Sequence, residues 1–386
     1  MAYRTSPTEH PNTEHPNTAH PSTGRTPRRL LWPGAAALAV ALLLTGLSPL
    51  FPRLGAPTGD RALGEAVIEA VGSRDRHHVA IAQVTPGGDE IRYAGFGADA
   101  HTEFEIGSIT KTFTAVLFAQ AIERGEVTAD TTLGELFGPA AGAASEVTLL
   151  QLATHTSGLP RLPPGNPLPN FVAAVLHTDP YTESADDLLA GLSDISTPTA
   201  VAADAAAGEY SNYGYALLGL ALAQAADTDY PRLLQERILT PLGMDDTYLP
   251  VERGGLSAGA PRGLAAGGIP ASPWTMAASA PAGGIRSTAA DMARYLQAVM
   301  TTDLPGSGDA TTPHALLNEE TEIGYGWLIE AQADPALTFH NGGTGGFRSV
   351  TGFTADGAGL VVLSDTTRSV DAALDLLSTP AGKETS

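Results

Sequence analysis

Gly107-Ser108-Ile109-Thr110-Lys111 opens a stretch, from Ser108 to Arg124, whose apolar spacing predicts an amphipathic helix stopped by Gly125. On a helix, residues three apart share a face, so a helix beginning at Ser108 sets its hydroxyl beside the Lys111 amine. The first turn also leaves backbone N–H groups without intrahelical partners, which suits a nucleophile whose product is an oxyanion. Partial burial lowers the pKa of an ammonium, so that Lys111 can accept the serine proton. The plainer reading makes Ser108 an N-cap and Lys111 a solvated charge.

Composition gives this lysine weight. Of 21 basic residues only Lys111 and Lys383 are lysines, and Lys383 lies near the C-terminus. Where the chain needs only positive charge it uses arginine, whose guanidinium stays protonated, whereas a buried amine can lose its proton. The 42 acidic residues leave a net charge of −21, the wrong sign for a nucleic-acid partner. Apolar content of 43 % with 16 % charged residues excludes wholesale disorder. The absence of cysteine excludes disulfides, thiolate metal sites and a thiol nucleophile.

Residues 1–29 contain a five-residue repeat, Glu9-His10-Pro11-Asn12-Thr13, Glu14-His15-Pro16-Asn17-Thr18 and Ala19-His20-Pro21-Ser22-Thr23, which predicts a disordered polar tail. Arg25, Arg28 and Arg29 then precede an apolar run over residues 30–51, long enough to span a bilayer with the N-terminus cytoplasmic. A cleaved signal peptide is the rival reading, and Arg28-Arg29-Leu30-Leu31 loosely resembles a twin-arginine signal. Pro49 directly after Gly46-Leu47-Ser48 is awkward at a scissile bond, which favours a single-pass membrane anchor. Under either reading the remainder, from about residue 56, is extracytoplasmic, anchored or secreted.

That remainder reads as α/β (α+β). Ala62 to Val71 is helical, and His78 to Val84 with Glu90 to Gly95 forms a hairpin across Pro86-Gly87-Gly88-Asp89. Residues 126–282 read as short helices and long loops, including Leu149 to His155, Tyr215 to Ala226 and Tyr230 to Leu239. Strand signals return at Gly324 to Glu330, Phe347 to Thr354 and Leu360 to Ser364, with Asp356-Gly357 turning the last hairpin and a helix over Val370 to Leu377 closing the chain. The pattern predicts an α/β core over about 60–125 and 283–378, with a helical insertion at 126–282 and a cleft between them.

Two further constellations carry chemistry. In Tyr210-Ser211-Asn212, a tyrosine of depressed pKa beside Lys111 can relay protons, and the asparagine amide can hold both lysine and substrate; taken alone, it is a packed tyrosine with a turn-forming asparagine. His340-Asn341-Gly342-Gly343 lies on or beside a strand leading to Gly345-Gly346-Phe347-Arg348-Ser349, and its glycines admit close backbone approach to a ligand. An N–H there can complete an oxyanion hole with that of Ser108.

Ser108-Ile109-Thr110-Lys111, Tyr210-Ser211-Asn212 and His340-Asn341-Gly342, in that order, resemble the class C β-lactamase and serine DD-peptidase superfamily, and the likeness spans about residues 60 to 378. Phe104-Glu105-Ile106-Gly107-Ser108, Leu152-Ala153-Thr154-His155-Thr156-Ser157-Gly158-Leu159-Pro160 and Ala282-Gly283-Gly284-Ile285-Arg286-Ser287-Thr288 look like the same family. The resemblance implies a β-lactamase/transpeptidase-like fold, an antiparallel sheet flanked by helices, and an acyl-enzyme mechanism without cofactor or metal. In it Ser108 attacks a carbonyl, Lys111 and Tyr210 shuttle protons, Asn212 orients them, and the N–H groups of Ser108 and Gly343 bind the oxyanion. His340 stands where many β-lactamases carry the lysine of Lys-Thr-Gly, as in some peptidases and esterases of the family, and Asn341 replaces a hydroxyl residue. Asn341, Gly342 and Arg348 are then expected to contact the substrate, Arg348 gripping a carboxylate. The implied substrate is a β-lactam, a D-Ala-D-Ala-type peptide or an ester; the alternative is a non-catalytic binding or scaffolding protein keeping the same fold.

The remaining candidates read as structural. His155 closes a helix beside Gly158. His77-His78 would bind a metal only if carboxylates converge on it, which the spacing does not show. Gly342-Gly343-Thr344-Gly345-Gly346 lacks the lysine and helix of a phosphate loop.

Overall fold

The computed structural model describes residues 52–378 except 88–89, 166, 203 and 206–207. The predicted tail at 1–29 and the apolar segment at 30–51 lie outside the described residues, among which no helix is long and apolar enough to cross a membrane.

Strand β1 (Pro57–Gly59) leads into helix α1 (Arg61–Val71), where Asp60 accepts the Leu63 N–H as N-cap and Gly72, at φ 76°, ends the last turn. The predicted hairpin follows as β2 (Val79–Val84) and β3 (Ile91–Phe96), in register from Val79↔Phe96 to Val84↔Ile91. Next come β4 (Phe104–Glu105), α2 (Thr110–Glu123), α3 (Leu149–Ala153), α4 (Pro167–Leu176) and α5 (Asn212–Ala225). After β5 (Arg286–Ser287) and α6 (Ala289–Met300), the chain returns as β6 (Ala315–Leu316), β7 (Glu322–Ile323), β8 (Leu328–Glu330), β9 (Leu337–Gly343), β10 (Arg348–Thr354) and β11 (Gly359–Ser364). The nine-stranded sheet runs β1-β3-β2-β11-β10-β9-β8-β7-β6, antiparallel at every pairing, while β4 and β5 form a separate pair. Among the described residues no strand of either sheet falls between Glu105 and Arg286.

Side-chain alternation distributes the central strands between two cores. Val79 and Ile81 of β2 join Leu63 and Val67 of α1 on one face, while Ala80, Ala82 and Val84 meet the larger cluster containing Phe113, Leu217 and Leu296 on the other. Strand β11, apolar along most of its length, is buried throughout because helices cover both faces.

Two expectations need correction. Helix α2 is not amphipathic: Thr110 to Ala121 are all buried. The threonines that read as its polar face satisfy their hydroxyls internally, Thr112 on the Ile109 carbonyl, Thr114 on that of Pro281, and Thr110 as acceptor for the Ile285 N–H. The strand expected over Gly324 to Glu330 is a turn followed by the short β8. Gly326 sits at φ 72°, where a Cβ would come within 2.9 Å of the Lys111 carbonyl, so the chain bends against α2 there.

Candidate active site

The residues singled out by spacing converge at the start of α2. Ser108 does not begin the α-helix as a cap but sits within a 3₁₀ turn, Gly107–Ile109, so its hydroxyl is not spent on capping. It accepts a hydrogen bond from Lys111 Nζ at 3.3 Å instead. Lys111 is fully buried, and its Nζ also donates to Asn212 Oδ1 at 2.8 Å and the Ala282 carbonyl at 2.6 Å. Burial, with a smaller contribution from the Arg161 charge, holds its pKa well below that of an ordinary lysine. A neutral amine has two N–H donors and one lone pair. An ammonium donates to all three partners; in the neutral amine the Asn212 and Ala282 oxygens, which can only accept, take the two donors, and the lone pair turns to the Ser108 hydroxyl.

Asn212 is the first residue of α5, placed by the Ser211 cap whose hydroxyl accepts the Gly214 N–H. Its carbonyl faces the lysine and its Nδ2 donates to the Tyr181 hydroxyl at 2.8 Å, which fixes the orientation of the amide. Tyr210 neighbours Ser108 across the cleft floor, and Lys111 Nζ lies 4.7 Å from its ring centroid. Its pKa departs from expectation: burial pushes the phenol up, outweighing the nearby Ser108 hydroxyl and Arg161 charge that pull it down. Tyr210 therefore rests as the phenol, and the depressed tyrosine pKa expected from sequence is corrected.

Glycines set the opposite wall. A Cβ on Gly342 would lie 2.0 Å from the Ile106 carbonyl, and one on Gly107, at φ 53°, would lie 2.5 Å from the Gly343 nitrogen. Only bare backbone lets β9 approach the nucleophile turn this closely, and Ser349 Oγ pins the contact by donating to the Ile106 carbonyl at 2.7 Å. In the β9–β10 ladder the Thr344 N–H bonds the Phe347 carbonyl, so Gly343, next along and opposite Arg348, turns its N–H outward, towards the Gly107-Ser108 turn. The Gly343 nitrogen thus faces the turn that carries Ser108.

A cleft of about 470 Å³ opens over Ser108, walled by Tyr210, Asn341, Gly342, Gly343 and Arg348, all anticipated, and by Arg161, Trp274 and Asp371, which were not. Asn341 Nδ2 donates to Asp371 at 3.2 Å. Arg348 lies across Gly343 and donates from one Nη to the Thr344 and Phe347 carbonyls, at 3.1 and 2.9 Å. Arg161 stacks its guanidinium 5.1 Å from the Tyr210 ring centroid and also lines a neighbouring 200 Å³ recess with Tyr181, Asn212 and Trp274.

His340 does not line the cleft: it is buried beside Tyr210, ring centroids 6.3 Å apart, with Nδ1 donating to the Asn341 carbonyl at 2.6 Å. Burial and the nearby Lys111 pull its pKa down to about 3, so the ring is neutral. His155 does more than end a helix. At φ 59° it brackets Tyr210, its carbonyl accepting the Glu209 N–H and its Nδ1 the Ser211 N–H, with its ring 4.4 Å from that of Tyr210. The family-like stretches around Glu105 and Arg286 meet as the β4–β5 pair, where the buried Arg286 donates to Glu105 at 2.7 Å and Glu105 accepts the Trp274 N–H at 3.0 Å.

A serine beside a buried lysine and a tyrosine, opening on a cleft, is the equipment of a serine hydrolase. The Beta-lactamase family profile matches residues 65–378, and the chain belongs to that family. It is 32 % identical over 269 residues to the D-alanyl-D-alanine-carboxypeptidase/endopeptidase AmpH of Escherichia coli K12, covering 63 % of this chain and 65 % of that protein. A beta-lactamase of the same strain is 30 % identical over 200 residues, 51 % of this chain and 47 % of its own length. Penicillin-binding protein 4 of Amycolatopsis lactamdurans is 25 % identical over 279 residues, 66 % and 70 % respectively. The match to AmpH thus spans less than two thirds of that relative's length.

Proposed function

We propose that the protein is an exported, membrane-anchored serine hydrolase that cleaves an amide bond preceding a carboxylate, as in a D-Ala-D-Ala-type peptide, through an acyl-enzyme on Ser108. The observation that carries the reading is the hydrogen-bonding of Lys111 Nζ, which leaves a neutral amine a lone pair for the Ser108 proton. Serine Oγ attacks the carbonyl as its proton passes to Lys111, and the Ser108 and Gly343 N–H groups hold the oxyanion. Lys111 and Tyr210 then return the proton to the leaving amine. Water attacks the ester next, activated through the same pair; Asp371, the only carboxylate among the described residues that line the cleft and its recess, is engaged by Asn341 Nδ2.

Arg348 and Arg161 in the cleft wall favour an anionic substrate despite the acidic surface, and AmpH among the relatives supports a peptide. A β-lactam carries the same amide-plus-carboxylate pattern and is the second reading, supported by the beta-lactamase relative. Export and anchoring rest on Arg25, Arg28 and Arg29 ahead of the apolar residues 30–51. The test is intact mass and turnover with a fluorescent penicillin, a D-Ala-D-Ala peptide and a chromogenic ester. A long-lived penicillin adduct with peptide turnover supports the peptidase, and rapid turnover of the β-lactam supports a β-lactamase. Turnover of the ester alone removes the carboxylate requirement, and no adduct with any probe points to a binding protein.

A further inference from the structure

His77, His78 and Asp365 form a cluster apart from the residues lining the cleft. Asp365 follows β11 and His78 precedes β2, and the Asp365 N–H donates to the His78 carbonyl at 3.3 Å, so the two face one another one step beyond the Ser364↔Val79 pair. Facing residues of antiparallel strands project to the same side. The Asp365 side chain is only 6 % exposed, and its Oδ1 accepts the His78 N–H at 2.7 Å. Its Oδ2 lies 2.8 Å from His77 Nδ1 and 3.1 Å from His78 Nδ1. Side chains of consecutive residues in an extended chain diverge, yet these two rings have centroids 3.8 Å apart and turn to one oxygen. Among the described residues no lysine or arginine is within ion-pair distance of this buried carboxylate.

We propose that His77 Nδ1, His78 Nδ1 and Asp365 Oδ2 bind one divalent transition-metal ion of the zinc type. Ligand atoms about 2.0–2.2 Å from a tetrahedral zinc lie about 3.3 Å from one another. The two N–O separations need to open by only a few tenths of an ångström, and all three ligand atoms already lie within 4.8 Å of each other. Two imidazoles with one carboxylate select zinc, copper or nickel over magnesium or calcium. The bond from the His78 N–H to Oδ1 orients the carboxylate from outside the coordination sphere. Half-exposed histidine rings leave the fourth position to water. Bound there, the ion ties the start of β2 to the end of β11, two adjacent central strands.

The test uses the full-length protein stripped with EDTA, titrated calorimetrically with zinc chloride and melted with and without the metal. One zinc per chain is expected to disappear in both His77→Ala/His78→Ala and Asp365→Asn. At a hundredfold excess over Kd, zinc is expected to raise the wild-type midpoint by about 3–6 °C, reversibly with EDTA, and to leave both variants unmoved. His10, His15 and His20 can bind zinc on their own, but such binding survives in both variants and shifts no midpoint; if it is all that is seen, the proposal fails. An equal shift with magnesium also overturns it. Should Asp365→Asn not fold, the exposed histidine pair decides the matter alone.

Discussion

At the scale of single residues the account rests on one amine. Lys111→Arg keeps the charge but removes the lone pair, because guanidinium stays protonated. Labelling of Ser108 is expected to fall by about 10²–10⁴-fold, the usual worth of a general base, as measured by intact mass after a timed exposure to fluorescent penicillin. The pH dependence follows from the lowered Lys111 pKa, whose first cause is burial. The working form is the amine, so acylation rises as pH climbs through that lowered pKa and is lost below it. The ascending limb of the labelling rate is therefore expected well below the ordinary lysine value of about 10.4. A limb centred at that ordinary value would mean a solvated lysine. The Ser-x-x-Lys, Tyr-x-Asn and His-Asn-Gly-Gly spacings were legible because each spans only three or four residues, within which local geometry fixes the relative placement. Arg161, Tyr181 and Trp274 were not, since they reach the cleft from loops at no fixed interval, and the bracketing of Tyr210 by His155 depends on backbone bonds that no side-chain pattern encodes.

At the scale of elements the decisive contact is β9 against the turn before α2. Gly107→Ala adds a Cβ 2.5 Å from the Gly343 nitrogen on a residue at φ 53°, so it pushes Gly343 away from the turn that carries Ser108 and separates the two donors of the proposed oxyanion hole. Acylation is expected to slow by about 10²–10³-fold, the cost of one lost oxyanion donor, while circular dichroism stays native. An unchanged rate would remove Gly343 from the oxyanion hole. Strands rich in apolar and β-branched residues and bounded by turn residues were readable from sequence, as β2, β3, β10 and β11 show. Helix α2 and the 324–330 turn were misread for one reason: tertiary burial overrides local pattern, by hiding threonine hydroxyls in the first and by bending glycines against a helix in the second.

At the scale of the whole molecule, the buried neutral histidines make the fold acid-sensitive. His340 has its pKa lowered to about 3, whereas in the unfolded chain it titrates near 6.5. Its contribution is fully present above that unfolded value and is lost as pH falls from there towards the folded one, at about 1.4 kcal/mol per pH unit. Urea unfolding at pH 5 is expected to show about 2 kcal/mol less stability from this residue than at pH 7.5, and His340→Gln to remove that share of the slope. A variant with the wild-type slope would place the ring in contact with solvent. The sheet takes its strands from residues 57–96 and 315–364, and the return of strand signals after residue 324 anticipated the second group.

The most direct measurement is peptide mapping of the covalent adduct formed with fluorescent penicillin, run in parallel on wild type, Ser108→Ala and Lys111→Arg. The account predicts a single adduct on Ser108 in wild type, none in Ser108→Ala, and a trace in Lys111→Arg. An adduct on another residue, or Lys111→Arg labelling at the wild-type rate, would contradict it.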